Sequence, residues 1–466
     1  MILKNGKIFS KGFIRNGDIL INSGVITKIK YESDEIDFKK LLDKNQDGKV
    51  IDCENRLILP GIIDIHSHLR DMEQSEKETF FTGTRAAAYS GITTVFNMPN
   101  TKPPAITEDQ VKKWMEKAQN NINVDVGFIA GVPKGINDVE IKKIIDLGII
   151  GFKIYPLSPL SEIDWKKSEN IRKILNISAK FQIPIFIHAA FPLSDKEKNQ
   201  IVDDFKIQRL SILEVHDRLN PVKMEKKFCD FIIQNYKDYV ADNKTKPKKY
   251  PIIHFCHISC KEAYLLIQKA MVSNENFRIS YEITPHHLFL SKDLSLDKST
   301  YGKVLPPLRS REHHLFLLNE LKEGNILLIG TDHAPHTIEE KSKDYLEAPS
   351  GFPGFETYPK VLIDQIFNFR LSLENYVKVS SENPAKIFHL TNKGFIEEGY
   401  NADLMIIEKI PEYLIKSVNF KTKAKFSPFE NSTSTVCIWK VFLKGNEINN
   451  EKSSSRGTII NASYKV

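Results

Sequence analysis

Short apolar runs alternate with longer, charged and amphipathic segments through the middle of the chain. The apolar runs are Ile62–His66, Thr93–Met98, Val124–Ile129, Ile149–Tyr155, Ile183–His188, Pro251–His257, Phe277–Thr284 and Ile326–Gly330. The segments between them, for example Thr107–Asn120 and Cys260–Val272, are mostly long enough to form a helix. Eight repeats of strand and helix predict an α/β fold built on a parallel (β/α)8 barrel, also called a TIM barrel. An open doubly wound sheet is the alternative.

Both ends of the chain carry a different pattern, in which apolar and polar residues alternate between glycine turns. Ile2–Phe9, Asp18–Ile21 and Val25–Ile29 indicate short antiparallel strands, and strand-like runs recur at Ala402–Ile407 and Val436–Lys444. We expect these strands to pair into one small β-sandwich domain. The predicted domains are residues 1–60 and 391–466 for the two parts of the β-sandwich, and residues 61–390 for the barrel.

Two polar stretches interrupt this organisation. Residues Glu32–Lys49 are predicted to form an exposed insertion within the first β segment. The long stretch between His188 and Pro251 is rich in Lys and Asp, and we expect an extended loop followed by a helix.

Composition narrows the class of protein. The 466 residues are 41% hydrophobic and 10% aromatic, which is enough for a large buried core. The net charge of +7 comes from scattered lysines rather than a basic cluster, which argues against a nucleic-acid surface and is compatible with a small anionic substrate. The five cysteines are irregularly spaced, so no disulfide framework is expected. Without a signal peptide or an apolar run of membrane-spanning length, a cytoplasmic protein is predicted.

Polar side chains follow the apolar runs where strands of a parallel barrel end, and functional groups collect at that rim. The first run ends in His66-Ser67-His68-Leu69-Arg70. Alternate residues of a strand share one face, so His66, His68 and Arg70 are expected to point together into the barrel mouth. Two neutral imidazoles at this spacing can chelate one zinc ion.

Later strand ends supply further candidate ligands. Lys153 lies within an apolar run, where a lysine is costly unless it is neutral, paired or modified. His188 closes the fifth run, and Asp332 follows the eighth. The sixth run offers His254 and His257 as alternatives. Cys256 and Cys260 flank His257 and suggest a zinc knuckle as a rival interpretation, although no second pair of cysteines accompanies them.

With these residues in place, the chain resembles the amidohydrolase superfamily and, within it, the class I dihydroorotases. The resemblance covers nearly the whole chain. The matching motifs are Pro60–Arg70, Thr82–Ala88, Gly91–Thr101, Ile283–His287, Pro306–Arg309, Gly330–His336, Ala348–Gly351, Ser381–Ala385 and Glu398–Leu404. The presence of Arg70 together with Asn100 favours dihydroorotase over other cyclic amidohydrolases.

The resemblance implies a dinuclear centre of two Zn²⁺ ions. His66 and His68 would hold the first ion, and His188 and His257 the second. Lys153 would be carboxylated, with its carbamate bridging the ions, although some dihydroorotases carry an aspartate at this position. Asp332 would be both a ligand and the catalytic base.

The implied reaction is the reversible cyclisation of N-carbamoyl-L-aspartate to L-dihydroorotate in de novo pyrimidine (UMP) biosynthesis. The family pattern assigns substrate binding to Arg70, Asn100, His336, Ser350 and Gly351. The alternatives are a hydantoinase or allantoinase, and a non-catalytic assembly partner. The resemblance also implies a homo-oligomer and an association with aspartate transcarbamoylase.

Overall fold

The computed structural model describes residues 1–32, 48–208, 210–242, 249–274, 276–449 and 457–461. Residues 33–47 of the predicted exposed insertion lie outside these ranges. The described residues form an α/β fold with two sheets, one of them a curled parallel sheet, which confirms the predicted fold class. None of the described helices combines the length and the apolar character that crossing a bilayer requires.

The N-terminal strands form because apolar and polar residues alternate along them, and the apolar side chains pack into a small core with Ile8, Ile19 and Leu404. The register of β1 against β2 pairs Ile2 with Leu20 and Ser10 with Phe13. These strands are β1 (Ile2–Ser10), β2 (Phe13–Asn22), β3 (Val25–Tyr31), β4 (Val50–Asp52) and β5 (Leu57–Pro60).

The next strands pair in parallel and in sequence order, as repeated strand–helix units require. They are buried along their whole length apart from the first residue of β12, which explains why most of their residues are apolar. These strands are β6 (Ile62–Ser67), β7 (Ile92–Asn97), β8 (Asp125–Gly131), β9 (Gly151–Ile154), β10 (Pro184–Ile187), β11 (Ile252–Phe255) and β12 (Arg278–Tyr281).

The eighth apolar run closes the barrel without forming a regular strand. Ile329 makes an isolated parallel bridge to Ile283, beyond β12, and His333 makes one to Ser67 at the end of β6. The Ile283 amide donates to the Leu328 carbonyl at 3.0 Å, and the Gly330 amide donates back to Ile283 at 3.1 Å. The eighth segment therefore lies between the last and the first barrel strands. The ladder does not continue to Asp332, whose backbone is left-handed (φ 49°).

Helices follow the barrel strands and pack their apolar faces on the sheet. Several begin at side-chain caps, such as Thr107 and Asn137. They are α1 (Phe80–Tyr89), α2 (Glu108–Ala118), α3 (Asp138–Asp146), α4 (Ser168–Phe181), α5 (Asp195–Gln208), α6 (Ile212–Leu219), α7 (Val222–Asp242), α8 (Lys261–Ser273), α9 (Pro285–Phe289), α10 (Arg311–Lys322), α11 (Ile338–Lys341), α12 (Tyr358–Phe367), α13 (Leu373–Val377) and α14 (Asn383–Ile387).

The stretch between His188 and Pro251 is more ordered than its composition suggested. It forms three helices, α5, α6 and α7, where one helix and an extended loop were predicted. Its apolar residues explain the difference, because Leu213, Val215 and Phe228 are buried. Residues 209 and 243–248 of this stretch lie outside the described ranges.

The C-terminal part completes the first sheet and then returns to the barrel. Strands β13 (Leu404–Leu414), β14 (Thr433–Leu443) and β15 (Asn446–Glu447) extend that sheet through antiparallel pairing of β13 with β5. Strand β16 (Ile459–Ile460) pairs in parallel with barrel strand β8. The division into residues 1–60, 61–390 and 391–466 stays a prediction.

A buried ionic cluster joins the two sheets. The Lys393 ammonium, which is 6% exposed, lies 2.8 Å from Asp125 at the start of β8 and 2.6 Å from Asp403 before β13. Burial alone would raise the pKa of Asp125, but the charges of Lys393 and Lys444 lower it. The Asp125 carboxylate is therefore ionised and depends on Lys393 for compensation.

We expect Lys393→Met to lower the apparent free energy of unfolding by about 3–5 kcal/mol, because it leaves two buried carboxylates with less compensation. Urea denaturation followed by circular dichroism measures the loss. Lys142→Met is the matched control, since Lys142 forms an exposed ion pair with Asp146 and its loss costs less than about 1 kcal/mol. Equal effects of the two substitutions would contradict the structural role of Lys393.

Candidate active site

The residues that the sequence selected at the strand ends meet at one rim of the barrel. His66 lies in β6, and His68 and Arg70 follow directly after the strand ends at Ser67. The strand predicted to carry all three residues on one face therefore does not extend to Arg70, whose backbone is left-handed (φ 57°). All three side chains nevertheless line one cavity of about 170 Å³, together with His188, His257 and Asp332.

Hydrogen bonds fix the tautomers of His66 and His68. His66 donates through Nδ1 to the Glu282 carboxylate, and His68 donates through Nδ1 to Asn100 Oδ1 at 2.6 Å. Each imidazole therefore presents the lone pair of Nε2 to the cavity. These Nε2 atoms lie 3.4 and 3.0 Å from Asp332 Oδ1. Two imidazole nitrogens and one carboxylate oxygen that face one another form a donor set that suits a divalent cation.

Ionisation of these groups follows from burial and from their neighbours. Burial lowers the pKa of His68 to about 4, so its imidazole is neutral at pH 7. Burial alone would raise the pKa of Asp332, but His66 and His68 hold it below its usual range. Burial also opposes protonation of His66, yet the Glu282 charge raises its pKa to about 10. His66 must therefore lose the proton on Nε2 before that nitrogen can bind a cation.

A second group of donors lies beside the first. His188 Nδ1 faces His257 Nε2 at 3.0 Å, and the ring centroids of His66 and His257 are 5.1 Å apart. Burial lowers the pKa of His188 to about 3, and the Lys153 charge adds to that effect. Lys153 Nζ is buried, and no hydrogen-bond partner for it exists among the described residues. A buried lysine nitrogen without a hydrogen-bond partner in the described residues is compatible with the predicted carboxylation of Lys153.

The structure separates the two histidines of the sixth run. His257 lines the cavity, where its left-handed backbone (φ 38°) turns the ring toward His188. His254 lies one layer deeper, because the strand register places it beside Phe186 and Ser280. Its Nδ1 is 2.9 Å from Ser280 Oγ and its Nε2 is 3.3 Å from Glu282. Among the described residues, Cys256 lies in a group of potential metal ligands with His66 and Glu282, and Cys260 lies in no such group, so the two cysteines do not form a knuckle.

Arg70 is a buried cation at the cavity wall. Its Nε donates to the Pro335 carbonyl at 3.1 Å, and its Nη2 donates to His336 Nε2 at 3.2 Å. No carboxylate pairs with the Arg70 guanidinium in the parts of the chain that the structure describes, and burial lowers its pKa to about 10. His336 lies behind Arg70, where Glu340 contacts its Nδ1 at 3.3 Å, rather than in the wall itself.

The remaining predicted contacts also reach the cavity. Asn100, Ser350 and Gly351 line it, and Asn100 uses its Oδ1 on His68, which leaves its amide group for a ligand. Leu305 lines the same wall. Tyr155 contributes a hydroxyl that sequence reasoning missed, although it ends the same run as Lys153.

Two buried carboxylates that support the site were also missed. Glu282 follows β12 and contacts both His66 and His254. Asp64 accepts hydrogen bonds from the Thr331 amide at 2.8 Å and the Thr331 hydroxyl at 2.6 Å, which fixes the segment carrying Asp332. An acidic residue inside an apolar run was the available signal, since a buried carboxylate needs such partners.

Comparison with known proteins matches this geometry. The amidohydrolase family model matches residues 57–448. The dihydroorotase of Methanosphaera stadtmanae is 33% identical over 92% of this chain and 92% of its own length. The dihydroorotase of Pyrococcus horikoshii is 35% identical over 91% of this chain and 87% of its own length.

Solved structures agree on the fold. The L-hydantoinase (dihydropyrimidinase) of Arthrobacter aurescens superposes with a TM-score of 0.83 at 25% identity, covering 99% of this chain and 97% of the hydantoinase. The dihydropyrimidinase of Brevibacillus agri superposes equally well at 22% identity, covering 100% of this chain and 99% of its own. The chain belongs to the amidohydrolase family, and it is similar to the dihydroorotases of Methanosphaera stadtmanae and Pyrococcus horikoshii over most of its length.

Proposed function

We propose that this protein is a dihydroorotase, which interconverts N-carbamoyl-L-aspartate and L-dihydroorotate in de novo pyrimidine biosynthesis. The observation that carries the proposal is the buried Arg70 guanidinium, which faces the cavity without a carboxylate partner in the described ranges. A buried cation of this kind needs an anion, and dihydroorotate brings a carboxylate beside its ring. The dihydroorotase relatives support the same reaction.

The donor sets fit a dinuclear zinc centre. His66 and His68 would hold one ion and His188 and His257 the other, with Asp332 as a further ligand of the first. A carbamate formed on Lys153 would bridge the pair, and the unpartnered Nζ supports this role. When bound, the ions would polarise the carbonyl and lower the pKa of a water molecule.

Asp332 is the group that can move the proton. In ring opening, the new C–O bond forms as the ring C–N bond breaks. Asp332 accepts the proton of the attacking water and returns it to the departing ring nitrogen. In the biosynthetic direction, Asp332 takes the proton from the carbamoyl nitrogen and gives it to the leaving hydroxyl oxygen. The hydrogen bonds of Thr331 to Asp64 hold the segment that carries Asp332 in place for both directions.

The other cavity residues orient the substrate. Arg70 and the free amide of Asn100 bind the ring carboxylate, and His336 positions Arg70 from behind. The backbone of Ser350 and Gly351 lies at the cavity wall and contacts the ring edge. Self-association, an association with aspartate transcarbamoylase and a cytoplasmic location stay predictions of the sequence.

The rival activity is hydrolysis of another cyclic amide, and the resemblance to hydantoinase folds makes it the relevant comparison. Hydantoin and allantoin lack the carboxylate that would pair with Arg70. We therefore expect purified protein to cyclise N-carbamoyl-L-aspartate and open L-dihydroorotate far faster than it opens hydantoin or allantoin. Parallel assays with measured metal content decide the question. Faster turnover of hydantoin would reject the proposal, and inactivity of metal-replete protein on every substrate would favour the non-catalytic alternative.

Arg70→Met should raise KM for N-carbamoyl-L-aspartate on the order of a hundredfold, or ~3 kcal/mol of lost binding, because it removes a buried charge partner. The metal content should stay unchanged, since Arg70 is not among the ligands. Arg278→Met is the matched control, because Arg278 begins β12 at the opposite end of the barrel and bonds Gln182. An unchanged KM for Arg70→Met would remove the carboxylate-binding role.

Lys153→Met should release most of the bound metal and abolish activity, because the bridging carbamate cannot form on methionine. Elemental analysis measures the metal, and nuclear magnetic resonance with isotope-labelled bicarbonate detects the carbamate in the parent protein. Protein stripped of metal should recover activity with zinc plus bicarbonate and much less with zinc alone. Full metal occupancy in Lys153→Met would contradict the bridging role.

A further inference from the structure

Two buried lysines flank the cavity loop that carries Ser350 and Gly351. Lys341 ends helix α11 and is 0% exposed, and Lys303 precedes the cavity residues Val304 and Leu305 and is 7% exposed. Neither ammonium forms an ion pair with a carboxylate within the described ranges. Each is instead surrounded by backbone carbonyl groups.

The carbonyl contacts are short and numerous. Lys341 Nζ donates to the carbonyls of Pro349 and Gly351, each at 2.9 Å, and to that of Lys303 at 3.2 Å. Lys303 Nζ donates to the carbonyls of Tyr345 and Ala348, each at 2.6 Å. Five carbonyl contacts from two ammonium groups therefore hold the segment from Tyr345 to Gly351 and its neighbour at Lys303.

A lysine suits this arrangement because its ammonium supplies three donors, and Lys341 meets three carbonyls. Burial of an ammonium without a carboxylate partner is costly, and the carbonyl contacts offset part of that cost. A shift of the loop would break these contacts, and buried groups have no solvent to replace them. Burial lowers the pKa of Lys341 to about 7 and that of Lys303 to about 8. The Lys303 charge lowers the pKa of Lys341 further, and the Glu340 charge opposes that effect.

The same contacts join two segments of the cavity wall. The Gly351 amide donates to the Lys303 carbonyl at 2.9 Å, which ties the loop to the chain leading into Val304 and Leu305. Gly351 adopts φ 128°, and a Cβ there would lie 2.7 Å from the Ala334 carbonyl oxygen. His216 of α6 adds a third tie, with its Nε2 2.8 Å from the Val304 carbonyl and its Nδ1 2.7 Å from the Tyr345 hydroxyl.

We propose that Lys303 and Lys341 are positioning residues, which hold the backbone of Val304–Leu305 and Ser350–Gly351 against the ring of the bound substrate. The inference rests on the proposed dihydroorotase function for its substrate, and it extends that function to side chains that lie behind the wall. Because the metal ligands belong to other segments, the lysines act on substrate affinity and leave the metal centre unchanged.

The test compares Lys341→Met and Lys303→Met with the parent enzyme in N-carbamoyl-L-aspartate and L-dihydroorotate assays. Each substitution should raise KM at least about tenfold while kcat and metal content stay unchanged, since uniform binding is lost. Lys341→Gln keeps two N–H donors and should raise KM less than Lys341→Met. Lys142→Met is the control, because it removes a lysine of an exposed ion pair outside the cavity and should leave KM unchanged.

Hydrogen exchange of the loop provides a readout that does not depend on turnover. Peptides covering residues 343–352 should exchange faster in Lys341→Met and Lys303→Met, and as slowly in Lys142→Met as in the parent. An unchanged KM and unchanged exchange in the lysine variants would overturn the positioning role, as would a fall in kcat without a rise in KM. A parent protein inactive on these substrates would reject the proposed function alone, and the exchange data would still decide the role of the lysines. If a Met variant does not fold, the Gln variant carries the same comparison.

Discussion

The side chains of several histidines and one aspartate face one another in a cavity at the barrel rim, and this arrangement constrains the rest of the site. Glu282 and Asn100 hold the Nδ1 protons of His66 and His68, so their Nε2 atoms can point only at Asp332. Such a group is unfavourable unless a cation occupies its centre. Buried residues behind the site therefore have to hold the donors together, as Asp64 does by accepting a hydrogen bond from Thr331.

Much of this arrangement could be predicted because a parallel barrel brings the ends of distant strands to one rim. His66, His68, His188, His257 and Asp332 each follow an apolar run, and the structure brings all five together. The choice between His254 and His257 was harder, because strand periodicity treats both as strand-end residues. The left-handed backbone at His257 decides it, and no sequence pattern specifies that local conformation.

Residues that act through tertiary contacts left weaker signals. In the sequence, Lys303 and Lys341 look like ordinary exposed lysines. In the structure, the loop from Tyr345 to Gly351 folds against both of them and buries them. The lysine-rich stretch after His188 likewise suggested an exposed loop. Its helices instead bring Glu225 beside Arg309 at 2.7 Å, and Ser259 donates its amide to the same Glu225 at 2.9 Å. Composition averages over faces of a helix, so it conceals a single buried side that carries such contacts.

The short strand β16 links the C-terminal part of the described chain to the barrel sheet. The chain passes from the first sheet into the barrel, returns to the first sheet, and then ends its described course beside β8. The Val126 amide of the barrel donates to the Thr458 carbonyl at 3.0 Å, and Asp125 accepts from the Thr458 amide at 2.7 Å. A fragment that stopped after the last barrel helix would lose those partners and the third anchor of the Asp125 carboxylate. The barrel that carries the candidate site is thus completed by a segment that lies beyond the last strand of the first sheet.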